Sequence, residues 1–257
     1  MNRDCRREGC PKQHYSALVV AVHILLLCVA PVVDATEYFV DNNHPNASDS
    51  NDGLSLDRPF KTLERGDWEL QPGNTLTIKA GVYREALVHG RSGTSTNPIV
   101  VRAYPGDEGL VVIKGSDVFA DWTDEGDNVW STPYQPLSLT ECRTYYCQRR
   151  EMAFIDGARQ KQVLSRTELG SGRFWVDDAG WRLYIGFSGN LNDRFVELAV
   201  RNQGIWAGST SHVIWKGLRV EHVANGREGA AMQLGSNHTV LNCIVQNNNL
   251  VGIGNRG

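Results

Sequence analysis

The sequence has no surplus of basic residues. Its 26 Lys and Arg are outnumbered by 29 Asp and Glu, and the formal net charge is −3. A nucleic-acid-binding domain carries a basic patch, so nucleic acid is excluded as the expected partner. Methionine is also scarce, with 3 residues against 26 glycines. This composition favours strands and turns over helices.

Helical periodicity is missing from most of the chain as well. No ten-residue segment between the strand-like runs has the apolar spacing of a helix, which excludes helical and leucine-rich repeat arrays. Short apolar runs such as "TLTIKAG", "EALVHG", "NPIVVRAYPG" and "LVVIKGS" are separated by Gly, Pro, Asn or Ser. Such runs predict β-strands joined by turns.

The first 35 residues differ from the rest of the chain. Basic residues precede the apolar segment 16–33, and Val33 and Ala35 stand at the usual −3 and −1 positions of a cleavage site. These features predict a secretory signal peptide, residues 1–35, cleaved before Thr36. An uncleaved membrane anchor is the alternative. After cleavage the protein is expected to be secreted, periplasmic or on the cell surface, without membrane association.

Cleavage would leave three cysteines, and secretion permits disulfides. Cys142 and Cys147 flank the short loop "RTYY" and are a candidate disulfide, with two free thiols as the alternative. Cys243 lies in an apolar strand pattern and is expected to be a buried small hydrophobic residue.

Two segments near the C-terminus resemble each other. "HVIWKGLRVEH" from His212 aligns with "HTVLNCIVQNN" from His238 at a shift of 26 residues, and Ile78 and Val101 occupy similar contexts 23 residues apart. A period of twenty-odd residues built from strands predicts a solenoid, here an all-β parallel β-helix. A sandwich or barrel is the alternative fold.

The alignment also predicts which side chains form the stacked core. The aligned apolar residues expected to point inward are Ile214, Leu218, Val220, Val240 and Ile244. No capping segment follows the last strand-like run, so the pattern predicts a solenoid that this chain does not complete.

Residues 118–201 have a different pattern. "MAFIDGARQ" predicts a hairpin with a turn at Asp156 and Gly157, and "GRFWVDDAGWRLYIGF" predicts a second hairpin. A small antiparallel β-domain is therefore predicted between residues 36–117, which hold the N-terminal cap and first solenoid strands, and residues 202–257, which hold the later ones. The tryptophans expected in the core of this domain, with sugar stacking as the alternative, are Trp122, Trp130, Trp175 and Trp181.

The polar segment after the first strand contains candidate calcium ligands. Asp49, Asn51 and Asp52 have the right side-chain oxygens. Gly53 falls one place early for an EF-hand loop, and no Glu occupies the closing position. Asx turns, which need no ion, are the alternative interpretation.

A short helix is expected after this segment. Thr62 can act as its N-cap, with Leu63 and Leu70 facing inward. Gly66 and Asp67 should weaken the helix because both have low helix propensity.

Several sequence blocks, in order, resemble one family. "YFVDNNHPNASDSNDGLSLDRPFKTL", "QPGNTLTIKAGVYRE" and "NPIVVRAYPGDEGLVVIKGS" are similar to the N-terminal part of secreted right-handed parallel β-helix proteins of the pectate-lyase-like, carbohydrate-active group. "GLRVEHVANG" and "NCIVQNNNLVGIG" look like later turns of such a coil. One departure is the Gly66-Asp67 pair, where these proteins usually have an Ala-rich capping helix.

The resemblance implies cleavage or epimerisation of acidic polysaccharides, often with Ca²⁺, or hydrolysis of neutral glycans. A lyase needs a base and a cation that stabilises an enolate, whereas a hydrolase needs two carboxylates. On the strands present here the candidate catalytic residues are Arg219, Glu221 and His222, with Arg227 and Glu228 nearby. Ordinary charges on a solvated outer face are the alternative interpretation.

The sequence thus predicts a secreted polysaccharide-acting protein of lyase or epimerase type that lacks its main catalytic turns. A glycoside hydrolase on the same fold and a non-catalytic glycan-binding or adhesin module are the alternatives. The expected partner is a polysaccharide or other glycan. No cofactor is evident apart from Ca²⁺ at the polar segment.

Overall fold

The computed structural model describes residues 35–137, 149–226 and 229–256. Within these ranges the chain is nearly all β, as predicted, with a short α-helix, α1 (Leu63–Trp68). No helix in the described ranges is both long enough and apolar enough to span a membrane. The predicted signal peptide as far as residue 34, and the candidate disulfide residues Cys142 and Cys147, lie outside the described residues.

The strands fall into three consecutive groups along the described chain. The first group is β1 (Glu37–Val40), β2 (Thr75–Ile78), β3 (Gly81–Tyr83), β4 (Leu87–Val88), β5 (Ile99–Ala103) and β6 (Val111–Lys114). The second is β7 (Ser116–Phe119), β8 (Thr123–Asp124), β9 (Val129–Pro133), β10 (Ala153–Ile155), β11 (Ala158–Arg159), β12 (Lys161–Gln162), β13 (Arg173–Asp177), β14 (Arg182–Gly186) and β15 (Val196–Ala199). The third is β16 (Ile205–Ser211), β17 (Val213–Lys216), β18 (Leu218–Glu221), β19 (Ala230–Ser236), β20 (Thr239–Leu241), β21 (Ile244–Gln246) and β22 (Val251–Asn255).

The first and third groups form three sheets in which all pairs are parallel. Their strand orders are β1-β2-β5-β17-β20, β3-β6-β18-β21 and β4-β16-β19-β22. Successive passages of the chain each add one strand to each sheet, first β2, β3 and β4, then β5, β6 and β16, and so on. The inward side chains of all three sheets belong to one apolar core, from Val40 to Leu234.

The register between successive passages differs from the predicted one. Leu76 pairs with Val101, and Trp215 pairs with Val240, so both steps span 25 residues. The expected shifts of 23 and 26 residues are therefore wrong. Because successive side chains of a strand point to opposite faces, an error of one residue exchanges the inner and outer faces.

This exchange explains which core predictions fail. Ile214 is only partly buried and Ile244 is 38% exposed, so the prediction that both point inward is wrong. Leu218 and Val220 are fully buried, as predicted, and Val240 packs against the core while partly buried.

The predicted cap helix is present. The Thr62 side chain accepts a hydrogen bond from the backbone N of Arg65, which makes Thr62 the N-cap of α1. Leu63 and Leu70 are fully buried, as expected.

The two residues that depart from an Ala-rich cap both have a packing role. A Cβ atom at Gly66 would lie 2.7 Å from side-chain atoms of Leu76 and Val40, so the missing side chain allows α1 to approach the core closely. Asp67 is buried, and its Oδ1 lies 2.6 Å from Nδ1 of the buried His89. The pair therefore ties the helix to the segment after β4.

The second group of strands forms two further sheets, mostly antiparallel, with orders β7-β15-β10-β11 and β12-β13-β14-β9-β8. The predicted turn at Asp156 and Gly157 joins β10 to β11, with φ values of 48° and 80°. These sheets have a separate apolar core that includes Trp122 and Trp130, as expected. Trp181 is 60% exposed, so the expectation that it lies in the core is wrong.

The chain passes from the parallel sheets to the antiparallel ones, and back again, beside Gly115. The backbone N–H groups of Val200 and Arg201 both donate to the carbonyl oxygen of Gly115, each at 2.9 Å. A Cβ atom at Gly115 would lie 2.5 Å from the His222 carbonyl oxygen. The chain therefore leaves β6 and returns from β15 at a point where only glycine fits.

Candidate functional site

A row of polar side chains crosses the outer face of the sheet β3-β6-β18-β21. Lys114, Glu221 and Gln246 are register partners on three neighbouring strands. Lys114 Nζ lies 3.5 Å from Glu221 Oε1, and Gln246 Nε2 donates to Glu221 Oε2 at 3.1 Å. Opposite charges on neighbouring strands stabilise such a row.

Glu197 of β15 covers this row from the antiparallel side. Its carboxylate accepts hydrogen bonds from Arg84 Nη1 at 2.7 Å, from Lys114 Nζ at 2.9 Å to each oxygen, and from Ser116 Oγ at 3.1 Å. Only 2% of Glu197 is exposed. A carboxylate can remain ionised when it is buried if hydrogen-bond donors and opposite charges surround it.

His222 completes what we call the buried cluster: Arg84, Lys114, Ser116, Glu197, Glu221 and His222. It has a φ of 59° where β18 ends, and its ring stacks on Phe154 of β10 with centroids 3.7 Å apart. Its Nδ1 lies 3.2 Å from Ser116 Oγ and 3.6 Å from Glu197 Oε2. His222 is 4% exposed, so the cluster is closed to solvent on this side.

The surroundings of His222 and Glu197, the two central groups of the cluster, determine which of them is charged at neutral pH. Burial and the nearby Lys114 lower the pKa of His222 to about 4, despite the opposing effect of Glu197. Burial alone would raise the pKa of Glu197, but hydrogen bonds from Lys114 and Arg84 outweigh it and the pKa is lowered. At neutral pH the cluster therefore holds a neutral imidazole and a carboxylate.

This arrangement does not provide a nucleophile. In a serine–histidine–acid triad, the serine and the acid contact different ring nitrogens. Here Ser116 and Glu197 both approach Nδ1 of His222, and Ser116 is fully buried. A small apolar group that includes Met152 and Ala224 packs beside the cluster. The geometry therefore suits a joint that holds the antiparallel sheets against the parallel ones.

The sequence-predicted catalytic residues are only partly brought together. Glu221 and His222 lie in the buried cluster, so they are not ordinary charges on a solvated outer face. Arg219 shares the outer face of β18 but lies near Gly109 and Ile244, and its buried Nε has no hydrogen-bond partner among the described residues. The other two candidates, residues 227–228, lie outside the described residues.

Arg84, Lys114 and Glu197 were not among the residues that the sequence pattern singled out. One signal was available, because "VVIKG", "LRVEH" and "CIVQN" each have a polar residue in the fourth place, namely Lys114, Glu221 and Gln246, and the last two are 25 residues apart. No comparable signal points to Glu197, because it belongs to a different sheet.

The candidate calcium ligands form hydrogen bonds within their own loop. Asp49 Oδ1 accepts from the backbone N of Lys61 and of Thr62, and Asp52 Oδ1 accepts from the backbone N of Leu54. Asn51 Nδ2 donates to the Pro59 carbonyl. In the described part of the chain, no group of three His, Cys, Asp or Glu could hold a metal ion. Calcium binding here stays a prediction.

Asparagines near the C-terminus connect successive passages of the chain. Asn248 accepts from the backbone N of Val223 and donates to the Val220 carbonyl. Asn249 donates to the carbonyl of the fully buried Asn225. Their amides bind backbone groups of the preceding passage and hold the turns in register.

A polar groove lies on the outer face of the sheet β4-β16-β19-β22. Trp206 of β16 is partly exposed and stands between its register partners Val88 of β4 and Gln233 of β19. We call this the Trp206 groove; it has a volume of about 200 Å³. Its described lining is Arg150, Asn202, Gln203, Trp206, Gly226, Gly229, Ala230, Gln233 and Arg256.

Comparison with known proteins supports the fold. No family model matches the chain. Over 74 residues it is 39% identical to the uncharacterized protein YwoF of Bacillus subtilis (strain 168), a match that covers 29% of this chain and 15% of that protein. The chain thus matches only a small part of this curated relative.

Two solved structures share the fold at low sequence identity. The complex of XylC with xylose has a TM-score of 0.66 and 20% identity, over 80% of this chain and 40% of that chain. A glycoside hydrolase has a TM-score of 0.63 and 12% identity, over 85% of this chain and 63% of that chain. The chain spans less than two thirds of either protein, and the likeness establishes a shared fold.

Proposed function

We propose that this protein is a secreted, polysaccharide-acting protein built on a right-handed parallel β-helix. The three parallel sheets, each gaining one strand per passage around a common core, support the coil. The antiparallel sheets, whose strands run from Ser116 to Ala199, are proposed as the inserted domain predicted at residues 118–201. The names of the structural relatives, a xylose complex and a glycoside hydrolase, point to a glycan as the partner.

The Trp206 groove is the observation that carries the glycan proposal. A partly exposed indole offers an apolar face on which a sugar ring can stack. The amides of Asn202, Gln203 and Gln233 offer hydrogen bonds around it. An aromatic surface ringed by polar groups suits a ligand that has both an apolar face and many hydroxyl groups.

The reaction is proposed to be of lyase or epimerase type, with hydrolysis as the second candidate. The family resemblance favours the first, and the name of one structural neighbour, a glycoside hydrolase, favours the second. The groups of the buried cluster that could act as acid or base, Glu197, Glu221 and His222, are at most 8% exposed, so neither reaction is assigned to the cluster. A binding module would need only the groove.

A binding and turnover assay tests this proposal. The chain is run in native gels containing pectate, alginate, chondroitin or xylan, and retardation by at least one of them is expected. Trp206→Ala should abolish the retardation, whereas Trp68→Ala, which removes a tryptophan that is 70% exposed elsewhere, should not. If none of the four polysaccharides retarded the wild-type chain, the glycan proposal would be refuted.

Products in the same mixtures distinguish the reaction types. A lyase yields unsaturated sugars that absorb in the ultraviolet, a hydrolase yields reducing ends without that absorbance, and a binding module yields neither. Secretion has a separate test. Mass spectrometry of exported protein should find Thr36 at the N-terminus, and an intact Met1 would contradict cleavage.

A further inference from the structure

We infer that the buried cluster is an acid-sensitive joint: a proton on His222 opens the contact between the antiparallel and the parallel sheets while both parts stay folded. The two connections between the parts lie side by side. The backbone N–H groups of Val200 and Arg201, at the end of the antiparallel part, both donate to the carbonyl oxygen of Gly115, at its beginning. Neighbouring connections of this kind can serve as a hinge, because few residues need to change their backbone angles when the parts separate.

Each part has an apolar core of its own, so each can stay folded when the joint opens. The three parallel sheets share one core, and the two antiparallel sheets share another. The contacts between the parts include the buried cluster, the stacking of Phe154 on His222, and the small apolar group that contains Met152 and Ala224. A change of charge in the cluster therefore acts on the contact between the parts and not on either core.

The charges around His222 balance only while its ring is neutral. The charged groups that face the ring come from four segments of the chain and are Arg84, Lys114, Glu197 and Glu221. They are two cations and two carboxylates, so a proton on the ring adds one excess positive charge. The residue is 4% exposed, and a buried charge without full compensation is costly. Opening the joint returns the ring to water and removes this cost.

The direction and the size of the pH effect follow from the two states of the joint. Burial and Lys114 hold the pKa of His222 at about 4 in the closed state, whereas a ring in water titrates at 6.5. The open state therefore binds a proton first as the pH falls, and between pH 7.5 and pH 4.5 the opening equilibrium should shift about 70-fold towards it. Glu197 acts in the same direction, because its pKa is lowered in the closed state.

Thiol labelling of the chain measures the opening. Ala224 is fully buried against Met152 and Phe154, so the thiol of Ala224→Cys should react when the joint is open. Ala231→Cys, in the core of the parallel sheets, and Ala153→Cys, in the core of the antiparallel sheets, are the matched controls. The reagent is a dipyridyl disulfide, which also reacts at acid pH because its leaving group is a weak base. Peptide mass spectrometry identifies the labelled cysteine.

Each labelling rate is divided by the rate of the same variant unfolded in urea at the same pH, which removes the pH dependence of the thiol itself. The relative rate of Ala224→Cys should rise about 70-fold from pH 7.5 to pH 4.5, and those of Ala153→Cys and Ala231→Cys should not rise with it. Adding His222→Gln should remove most of the rise. Adding His44→Gln, in the polar segment after β1, should leave it unchanged. Circular dichroism checks that each variant is folded.

Three results would overturn the inference. An unchanged relative rate for Ala224→Cys would mean that the joint does not open in acid. An equal rise in all three cysteine variants would mean that acid unfolds the chain instead. A rise that persists with His222→Gln would remove His222 as the cause. If His222→Gln does not fold, the pH profile of Ala224→Cys decides: a rise of about tenfold by pH 5.5 supports the inference, and a rise confined to pH values below 5, where carboxylates titrate, contradicts it.

Discussion

Replacing Glu197 with Gln should destabilise the protein strongly. The carboxylate is 2% exposed and receives hydrogen bonds from Arg84, Lys114 and Ser116. Glutamine keeps the shape and one acceptor oxygen but removes the charge. Arg84 and Lys114 would then remain beside a neutral group, with side chains only 26% and 13% exposed.

The magnitude follows from the cost of breaking a buried ion pair. Removing one partner costs about 3–5 kcal/mol when the remaining charge stays buried. Arg84 and Lys114 keep some contact with water, which favours the lower end, about 3 kcal/mol. With a urea dependence of about 2–3 kcal/mol per molar, the unfolding midpoint should fall by roughly 1 M.

The assay is urea unfolding followed by tryptophan fluorescence, with Glu69→Gln as the matched control. Glu69 also pairs with an arginine, Arg65, but their side chains are about one third exposed. Such a pair contributes about 1 kcal/mol or less, so this variant should unfold close to wild type. If Glu197→Gln unfolded at the same urea concentration as Glu69→Gln, the buried cluster would not be the joint we describe.

Three other outcomes follow from the structure. Stability should fall as the pH is lowered from 6.5 towards 4. The unfolded state binds a proton at His222 first, at the ordinary pKa of 6.5, because burial and a neighbouring lysine hold the pKa in the folded state at about 4. His222→Gln should therefore flatten the curve of melting temperature against pH. Leu218→Asp should prevent folding, as judged by circular dichroism, whereas Ile244→Asp, at a side chain 38% exposed, should lower the melting temperature only slightly. Gly66→Ala should lower the urea midpoint despite its better helix propensity, because the added methyl group overlaps side chains of β1 and β2.

Features encoded within a few residues were predictable from the sequence. The Thr62 N-cap and the Asp156-Gly157 turn each depend on local chemistry, and both are present. The register was not predictable, because "HVIWKG" and "HTVLNC" align at 26 residues through their histidines, whereas the strands pair at 25.

The site was less predictable than the strands because its environment comes from distant segments. Alternation correctly puts Arg219 and Glu221 on one face of β18. It cannot reveal that Glu197 of another sheet covers only the Glu221 end of that face. Trp206 was also overlooked, although it lies between Ile205 and Ala207, whose inward burial would have placed Trp206 outside.

The composition of the buried cluster follows from where the antiparallel sheets attach. Covering the outer face at β6 and β18 removes water from Lys114 and Glu221, and a desolvated charge requires compensation. The covering sheet supplies Glu197, which brings the cluster to two cations and two carboxylates when His222 is neutral. A proton on His222 would leave one excess positive charge in a site with little access to water. The charges of the cluster balance only while His222 is neutral. Acid should therefore weaken the contact between the antiparallel and the parallel sheets.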